Sequence, residues 1–142
     1  MKDIDIPPIN TLMLIDDSDV DQMIYRRIAQ KSGLVRDLVQ FLDARQALAH
    51  LNDPTTESPD LILLDINMPG MDGFDFLEAA TDELGADLCP VVVMLTTSLN
   101  PKDEVRAKSF EVVREFLNKP LTVDQLKALS QMLARDTSAE TG

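Results

Sequence analysis

The sequence is poor in cysteine, histidine and large aromatic residues: its 142 residues include one cysteine, one histidine, one tyrosine and no tryptophan. One cysteine forms no internal disulfide bond. One cysteine and one histidine cannot supply the four ligands of a structural zinc site, so only a hard cation bound by oxygen atoms remains open. The longest apolar runs are about five residues, far short of the ~20 that a membrane-spanning helix needs.

Positive charge is also scarce, with 13 Lys and Arg against 25 Asp and Glu and a formal net charge of −12. Such a chain lacks the basic surface that neutralises phosphates, so we expect no nucleic-acid partner and no anionic membrane partner. No apolar stretch follows a basic N-terminal segment, so no signal peptide is predicted. Composition therefore indicates a soluble, cytoplasmic protein with one domain.

Apolar runs that alternate with helical patterns dominate the middle of the chain. The predicted strands span residues 11–15, 38–42, 61–64, 91–95 and 112–117. The three most apolar runs (11–15, 61–64 and 91–95) do not alternate with polar residues, which is typical of parallel strands covered by helices on both faces. Helix signals lie between the runs, and the order is five βα units. This predicts an α/β fold with a doubly wound five-stranded parallel sheet.

Local signals place the ends of several helices. They are Gly33 as a C-terminal cap, Asp43 with Gln46 and Thr122 with Gln125 as capping boxes, and Asn100-Pro101 as N-cap and first helical residue. Residues 1–10 are expected to be a loose leader, 11–134 the domain, and 135–142 a frayed polar tail.

The predicted strands end in chemically useful side chains. The first run ends in Asp16-Asp17, the third in Asp65 and the fourth in Thr96, while Lys119 follows the fifth. In open α/β sheets the ligand site lies at the carboxyl ends of the strands. Clustered carboxylates repel one another, and Mg²⁺ with oxygen ligands relieves that repulsion. No P-loop occurs, so the set predicts a phosphoryl group on the protein itself, with Asp65 as the carboxylate nucleophile.

Residues 11–134 resemble the response-regulator receiver domain, the CheY-like module of two-component signalling. The matching motifs are Leu14-Ile15-Asp16-Asp17, Leu64-Asp65-Ile66-Asn67-Met68-Pro69-Gly70-Met71-Asp72-Gly73, Leu95-Thr96-Thr97 and Phe116-Leu117-Asn118-Lys119-Pro120. The resemblance implies a flavodoxin-like strand order of 2-1-3-4-5 and a cis Lys119-Pro120 bond.

The resemblance also implies the role of each site residue. Asp65 is then the phosphoacceptor, served by a sensor histidine kinase or a histidine phosphotransferase. The implied Mg²⁺ ligands are Asp16 (through water), Asp17, Asp65 and the backbone carbonyl of Asn67. Thr96 is the implied switch hydroxyl, Phe116 the switch aromatic and Lys119 the cation that meets the phosphate. The surface that switches for a downstream protein target is expected on the fourth helix, fifth strand and fifth helix.

Several alternatives stay open at this point. A stand-alone regulator is expected, either a chemotaxis-type messenger or a phosphorelay intermediate. A haloacid-dehalogenase-type phosphatase also uses a strand-end Asp with Mg²⁺, but it needs an acid where this chain has Asn67. A degenerate receiver that serves as a scaffold is the other alternative. His50 is expected to be a surface helix residue rather than a phosphotransferase histidine, and Cys89 to be inert.

Overall fold

The structure is a computed structural model that describes residues 8–85, 91–98 and 100–141, with side chains up to residue 134. The strands are β1 (Ile9–Ile15), β2 (Val35–Phe41), β3 (Leu61–Leu64), β4 (Val92–Thr96) and β5 (Val113–Asn118). The helices are α1 (Asp19–Ser32), α2 (Ala44–Asn52), α3 (Gly73–Leu84), α4 (Pro101–Lys108) and α5 (Val123–Thr141). The predicted series of five βα units is confirmed. Across these described ranges, no helix has the length and apolarity to cross a membrane.

The sheet is parallel throughout and has the strand order β2-β1-β3-β4-β5. Its two faces bury alternate residues of the same strands, as the two-residue period of a strand requires. On β1, Met13 and Ile15 pack in a cluster with residues of α2, α3 and α4. Leu12 and Leu14 pack in a second cluster with residues of α1 and α5. The predicted doubly wound α/β fold, with helices on both faces, is therefore confirmed.

Some element boundaries differ from those predicted. β1 begins at Ile9, inside the expected leader, because the Ile9 side chain is fully buried and its N–H donates to Leu34 O at 2.9 Å. β2 begins at Val35, three residues before its predicted start. The backbone of α5 continues to Thr141, through most of the expected tail. The domain boundaries themselves remain a prediction, and Cys89 lies outside the described residues.

Most of the predicted helix caps are confirmed. Gly33 ends α1 with a left-handed φ of 67°, and Asn100 caps α4 with Pro101 as its first residue. Thr122 and Gln125 exchange hydrogen bonds of 3.0 and 3.1 Å at the start of α5. The capping box predicted for Asp43 and Gln46 is wrong. Asp43 does cap α2, but its carboxylate accepts from the nearer Arg45 N–H at 2.7 Å.

His50 lies on α2 and is half-buried. Its ring centroid is 5.2 Å from that of Phe41, at the end of the edge strand β2. The imidazole therefore packs on an aromatic ring at the margin of the core, which differs from a purely solvated helix residue.

Candidate functional site

Backbone hydrogen bonds bring the predicted strand-end residues to one edge of the sheet. Asp65 N–H donates to Ile15 O at 2.9 Å, which places the end of β3 beside the end of β1. Lys119 N–H donates to Thr96 O at 2.9 Å, which places the residue after β5 beside the end of β4. Sheet order reverses between β1 and β3, the position where open α/β sheets hold their ligands.

Three carboxylates form an acidic triad at this edge: Asp16, Asp17 and Asp65. One oxygen from each lies within 4.8 Å of the others. Asp16 and Asp65 are buried, at 2% and 6% exposure, whereas Asp17 is exposed. Burial, with the nearby charge of Asp16, raises the pKa of Asp65 to about 6 against the opposing effect of Lys119. The triad thus has two buried carboxylates and one that is open to solvent.

Lys119 supplies the positive charge of the site. Its Nζ lies 2.7 Å from Asp16 Oδ2, 2.8 Å from Asp21 Oδ2 and 3.6 Å from Asp65 Oδ2. Burial alone would lower the pKa of Lys119, but hydrogen bonds with Asp16 and Asp21 raise it above its ordinary value. The side chain is therefore a permanent cation. The bond between Lys119 and Pro120 is cis, as the resemblance implied.

Two residues of α1 that the sequence reasoning did not assign to the site contact it directly. Tyr25 donates its hydroxyl proton to Asp16 Oδ2 at 3.0 Å, and Asp21 pairs with Lys119. The signal available in the sequence was their spacing, because residues 21 and 25 lie four apart and share one helix face. Nothing in the sequence showed that this face meets the loop after β5.

Both carboxylate oxygens of Asp16 accept hydrogen bonds. Its Oδ1 accepts a hydrogen bond from Ser18 N–H at 2.9 Å, and its Oδ2 accepts from both Tyr25 and Lys119. A neighbouring side chain, Gln22, donates its amide protons to Asp16 O at 3.0 Å and to Phe41 O at 2.8 Å. These contacts fix the end of β1 against α1 and β2.

The two predicted switch residues lie on β4 and β5. Thr96 is fully buried, and its Oγ1 accepts a hydrogen bond from Ser98 N–H at 3.1 Å. Phe116 is half-buried and packs against the cluster formed with α2, α3 and α4. Asn67 lies two residues after Asp65 and is exposed. Thr96 is the last residue of β4, at the edge that carries the triad, whereas Phe116 lies inside β5.

Gly73 closes the loop that follows the phosphoacceptor candidate. Its N–H donates to Ile66 O at 2.9 Å. A Cβ at this position would lie 2.5 Å from the carbonyl oxygen of Asp65, closer than any side chain tolerates. The start of α3 can therefore approach the backbone of Asp65 only because residue 73 is glycine.

The donor set of the acidic triad fits a hard divalent cation. All three ligand candidates are carboxylates, which suit Mg²⁺ and similar ions better than a soft metal. Without a cation, three carboxylates so close together are balanced by one nearby ammonium group. The triad can therefore hold a divalent cation through Asp16, Asp17 and Asp65.

The fold and this site define a class of protein that carries a carboxylate cluster and a lysine at the carboxyl edge of a five-stranded parallel sheet. The chain belongs to the response regulator receiver domain family, whose model matches residues 12–131. This confirms the resemblance drawn from the motifs. The match gives no support to the phosphatase alternative.

Curated relatives agree with this assignment. The chain is similar to the response regulator Rcp1 of Synechocystis, with 31% identity over 116 residues that cover 79% of this chain and 78% of Rcp1. It is also 27% identical over 132 residues to hybrid signal transduction histidine kinase L of Dictyostelium discoideum. That match covers 92% of this chain but spans only 8% of the kinase.

Solved structures share the fold. A two-component response regulator from Cytophaga hutchinsonii superimposes with a TM-score of 0.82 and 26% identity, over 89% of this chain and 98% of that one. The Mn²⁺-bound form of Rcp1 gives a TM-score of 0.70 and 29% identity, over 87% of this chain and 88% of that one.

Proposed function

We propose that this chain accepts a phosphoryl group on Asp65 from the phosphohistidine of a sensor histidine kinase or a histidine phosphotransferase. The observation that carries the proposal is the placement of buried Asp65 beside Asp16, Asp17 and the ammonium group of Lys119. These residues supply a nucleophile, a cation site and a fixed positive charge at one point. Family membership and the relation to Rcp1 support a role in two-component signalling.

The chemistry follows from the protonation of Asp65. With a pKa of about 6, its carboxylate is largely ionised at neutral pH and can attack phosphorus. A new bond forms between a carboxylate oxygen and phosphorus as the bond from phosphorus to the histidine nitrogen breaks. The leaving nitrogen keeps the electron pair and takes a proton from solvent. The chain acts only on its own phosphoryl group in this scheme.

Neutralisation of charge accounts for most of the catalysis expected in such a transfer. The proposed cation is Mg²⁺, which would be held by Asp16 (through water), Asp17, Asp65 and the carbonyl of Asn67 and would supply positive charge to the transferring group. Lys119, which lies 3.6 Å from Asp65 Oδ2, donates a hydrogen bond to a phosphoryl oxygen. Tyr25 and Ser18 hold Asp16 in place through the hydrogen bonds described above.

The proposed switch consists of Thr96 at the end of β4 and Phe116 on β5. To reach the phosphoryl group, the Thr96 hydroxyl turns away from Ser98 N–H, and Phe116 rotates with it. Charge-assisted hydrogen bonds from Thr96 and Lys119 are worth ~1.5–3 kcal/mol each. Together they approach the ~5.5 kcal/mol that moves an equilibrium from 1:99 to 99:1. The responding surface is that of α4, β5 and α5, which would bind a downstream protein.

The direct test is Mg²⁺-dependent labelling of the purified chain with acetyl phosphate. We expect one phosphoryl group on the wild type, stable to acid and lost in hydroxylamine, and none on Asp65→Asn. Labelling that persists in Asp65→Asn would overturn the choice of nucleophile. Asp37→Asn, which changes an exposed carboxylate on the edge strand, should label like the wild type.

A second experiment separates the two cellular roles that remain. A phosphorelay intermediate passes its label to the histidine of a phosphotransferase, whereas a messenger loses it to water. Both roles place the chain in the cytoplasm with its kinase, and this location is part of the proposal. A stand-alone organisation stays a prediction.

A further inference from the structure

Lys119 makes its two shortest contacts with Asp16 and Asp21 rather than with the proposed phosphoacceptor. Its Nζ lies 2.7 and 2.8 Å from the oxygens of Asp16 and Asp21, but 3.6 Å from Asp65 Oδ2. Charge-assisted N–H···O bonds are about 2.7–2.9 Å long, so the first two contacts are hydrogen bonds and the third is not. Asp16 and Asp21 therefore hold the ammonium group by hydrogen bonds, and Asp65 contacts it only as a longer ion pair.

Asp21 occupies a fixed position in this arrangement. Its N–H donates to the N-cap Ser18 Oγ at 3.1 Å. The next residue, Gln22, is buried and ties α1 to the carbonyl oxygens at the ends of β1 and β2. The backbone that carries the Asp21 carboxylate is therefore anchored to the strands that build the site, although the side chain keeps 32% exposure.

Asp21 differs from Asp16 in one decisive respect. Asp16 belongs to the acidic triad, so a cation bound there shares its negative charge. Asp21 is not one of the three carboxylates that lie within 4.8 Å of one another. Its full negative charge therefore stays directed at Lys119 when the triad is filled.

We propose that Asp21 is a positioning residue that competes with the phosphoryl group on Asp65 for Lys119. The inference rests on the proposed function, because it concerns how readily that phosphoryl group recruits the ammonium group. The attraction between Asp21 and the ammonium group opposes any movement of Lys119 towards a phosphoryl oxygen on Asp65. The carboxylate thereby weakens the phosphorylated conformation and sets the threshold of the switch.

Beryllofluoride in saturating Mg²⁺ is the probe, because it binds carboxylates as a phosphoryl mimic without chemistry. Tyr25 is the only tyrosine of a chain without tryptophan, and its hydroxyl bonds to Asp16, so its fluorescence reports on the site. We expect Asp21→Asn to bind beryllofluoride about two- to tenfold more tightly than wild type, as the loss of one anionic partner of a part-buried ion pair predicts. Calorimetric titration of the same variants checks the fluorescence result.

Asp19→Asn is the matched control. It removes the same charge from the same turn of α1, and Asp19 is not among the ion-pair partners of Lys119 across the part of the chain that the structure describes. We expect its affinity to stay within about 1.5-fold of the wild type, since an exposed charge without a partner is screened by salt. An equal gain in both variants would assign the effect to net charge and overturn the inference.

The remaining outcomes are also decisive. Weaker or unchanged binding by Asp21→Asn would show that Asp21 orients Lys119 or is indifferent to it, and either result overturns the competition. Asp21→Ala removes the acceptor altogether and must give a gain at least as large. If the wild type itself fails to respond to beryllofluoride with Mg²⁺, the proposed function fails instead.

Discussion

The Tyr25 hydroxyl donates a hydrogen bond to Asp16 Oδ2 at 3.0 Å, inside the core, at the oxygen that also binds Lys119. Tyr25 is 3% exposed, and burial, together with the charge of Asp16, raises the pKa of its hydroxyl above the ordinary value. The group therefore stays protonated and continues to donate wherever the protein is folded. A buried carboxylate without its full set of donors is unfavourable, so this contact links the stability of α1 to the acidic triad.

Tyr25→Phe tests that link. The change removes one hydrogen bond to a charged acceptor and keeps the ring, so we expect a loss of about 1–2 kcal/mol in the free energy of unfolding. Urea denaturation measures it. In an Asp16→Asn background the same change should cost less, because the acceptor no longer carries a charge. A loss below about 0.5 kcal/mol in the wild-type background would contradict the importance of the contact.

The raised pKa of Asp65 should make the free energy of unfolding depend on pH when no divalent cation is present. The folded chain keeps its Asp65 proton up to a pKa of about 6, whereas an ordinary Asp has the value 3.8. Between about pH 4 and 6 the folded state binds more protons than the unfolded state, so the stability that depends on Asp65 falls as pH rises. Above pH 6 the folded chain carries a buried charge, and below pH 4 neither state does.

Asp65→Asn should therefore be more stable than the wild type by about 2–3 kcal/mol above about pH 6, with the difference vanishing near pH 4. Urea unfolding at a series of pH values, with a chelator present, measures this. Mg²⁺ should stabilise the wild type and have little effect on the variant. Asp37→Asn, at an exposed position, serves as the control and should show no such pH dependence. A constant difference between Asp65→Asn and the wild type at all pH values would refute the explanation.

Gly73 and Gly33 give a matched pair of substitutions. At Gly73, a methyl group would lie 2.5 Å from the Asp65 carbonyl oxygen and 3.0 Å from Ile66 Cα. We expect Gly73→Ala to lower stability by about 1–3 kcal/mol and to weaken Mg²⁺ binding, because the loop after Asp65 must move. At Gly33 an added Cβ would meet no atom within 4 Å among the described residues, its chain neighbours aside, and only the left-handed φ of 67° opposes a side chain.

Gly33→Ala should cost about 1–2 kcal/mol from backbone strain and leave the affinity for Mg²⁺ unchanged. Calorimetric titration of the two variants with Mg²⁺ separates a local effect on the site from a loss of stability alone. Equal weakening of Mg²⁺ binding in both variants would show that the glycine at position 73 has no special relation to Asp65.

The sequence was sufficient to predict the order of the strands and helices and the residues at the strand ends. Parallel strands that are buried on both faces give continuous apolar runs, and the residue after each run must lie at the same edge of the sheet. Asp16, Asp65, Thr96 and Lys119 were predicted to meet on that ground. Their contacts bear out this placement, although their roles in phosphoryl transfer remain proposals.

The contact that α1 makes with the site could not be predicted in the same way. Asp21 and Lys119 are separated by 98 residues, and their contact depends on how α1 is rotated against the sheet. Hydrophobic periodicity predicts which face of a helix is buried. It does not predict which polar residue at the margin of that face contacts a neighbouring loop. The start of β1 was missed for a related reason. Ile9 follows two prolines, and its place in β1 depends on pairing with Val35 at the start of β2 rather than on its neighbours in sequence.

Ser98 connects Thr96, the proposed switch residue, to two other elements. Its N–H donates to Thr96 Oγ1, its Oγ donates to Asp103 Oδ2 on α4, and its carbonyl accepts from Asn118 Nδ2 at 3.0 Å. Movement of Thr96 towards Asp65 would break the first of these bonds and loosen the loop between β4 and α4. The resting arrangement therefore favours the conformation without phosphate.

Ser98→Ala removes the bond to Asp103 and the bond that Ser98 Oγ accepts from Asn100 N–H at 3.3 Å, and it leaves the backbone bonds to Thr96 and Asn118 in place. We expect amide hydrogen exchange in the first turn of α4 to speed up by about tenfold, since a lost hydrogen bond to a carboxylate lowers local stability by about 1.5 kcal/mol. Ser109→Ala, at the other end of α4, removes a similar bond to Arg106 O and should leave that turn unaffected. Because the resting loop is destabilised, beryllofluoride should also bind Ser98→Ala more tightly than the wild type. Unchanged exchange and affinity would mean that the bond between Ser98 and Asp103 does not restrain the loop.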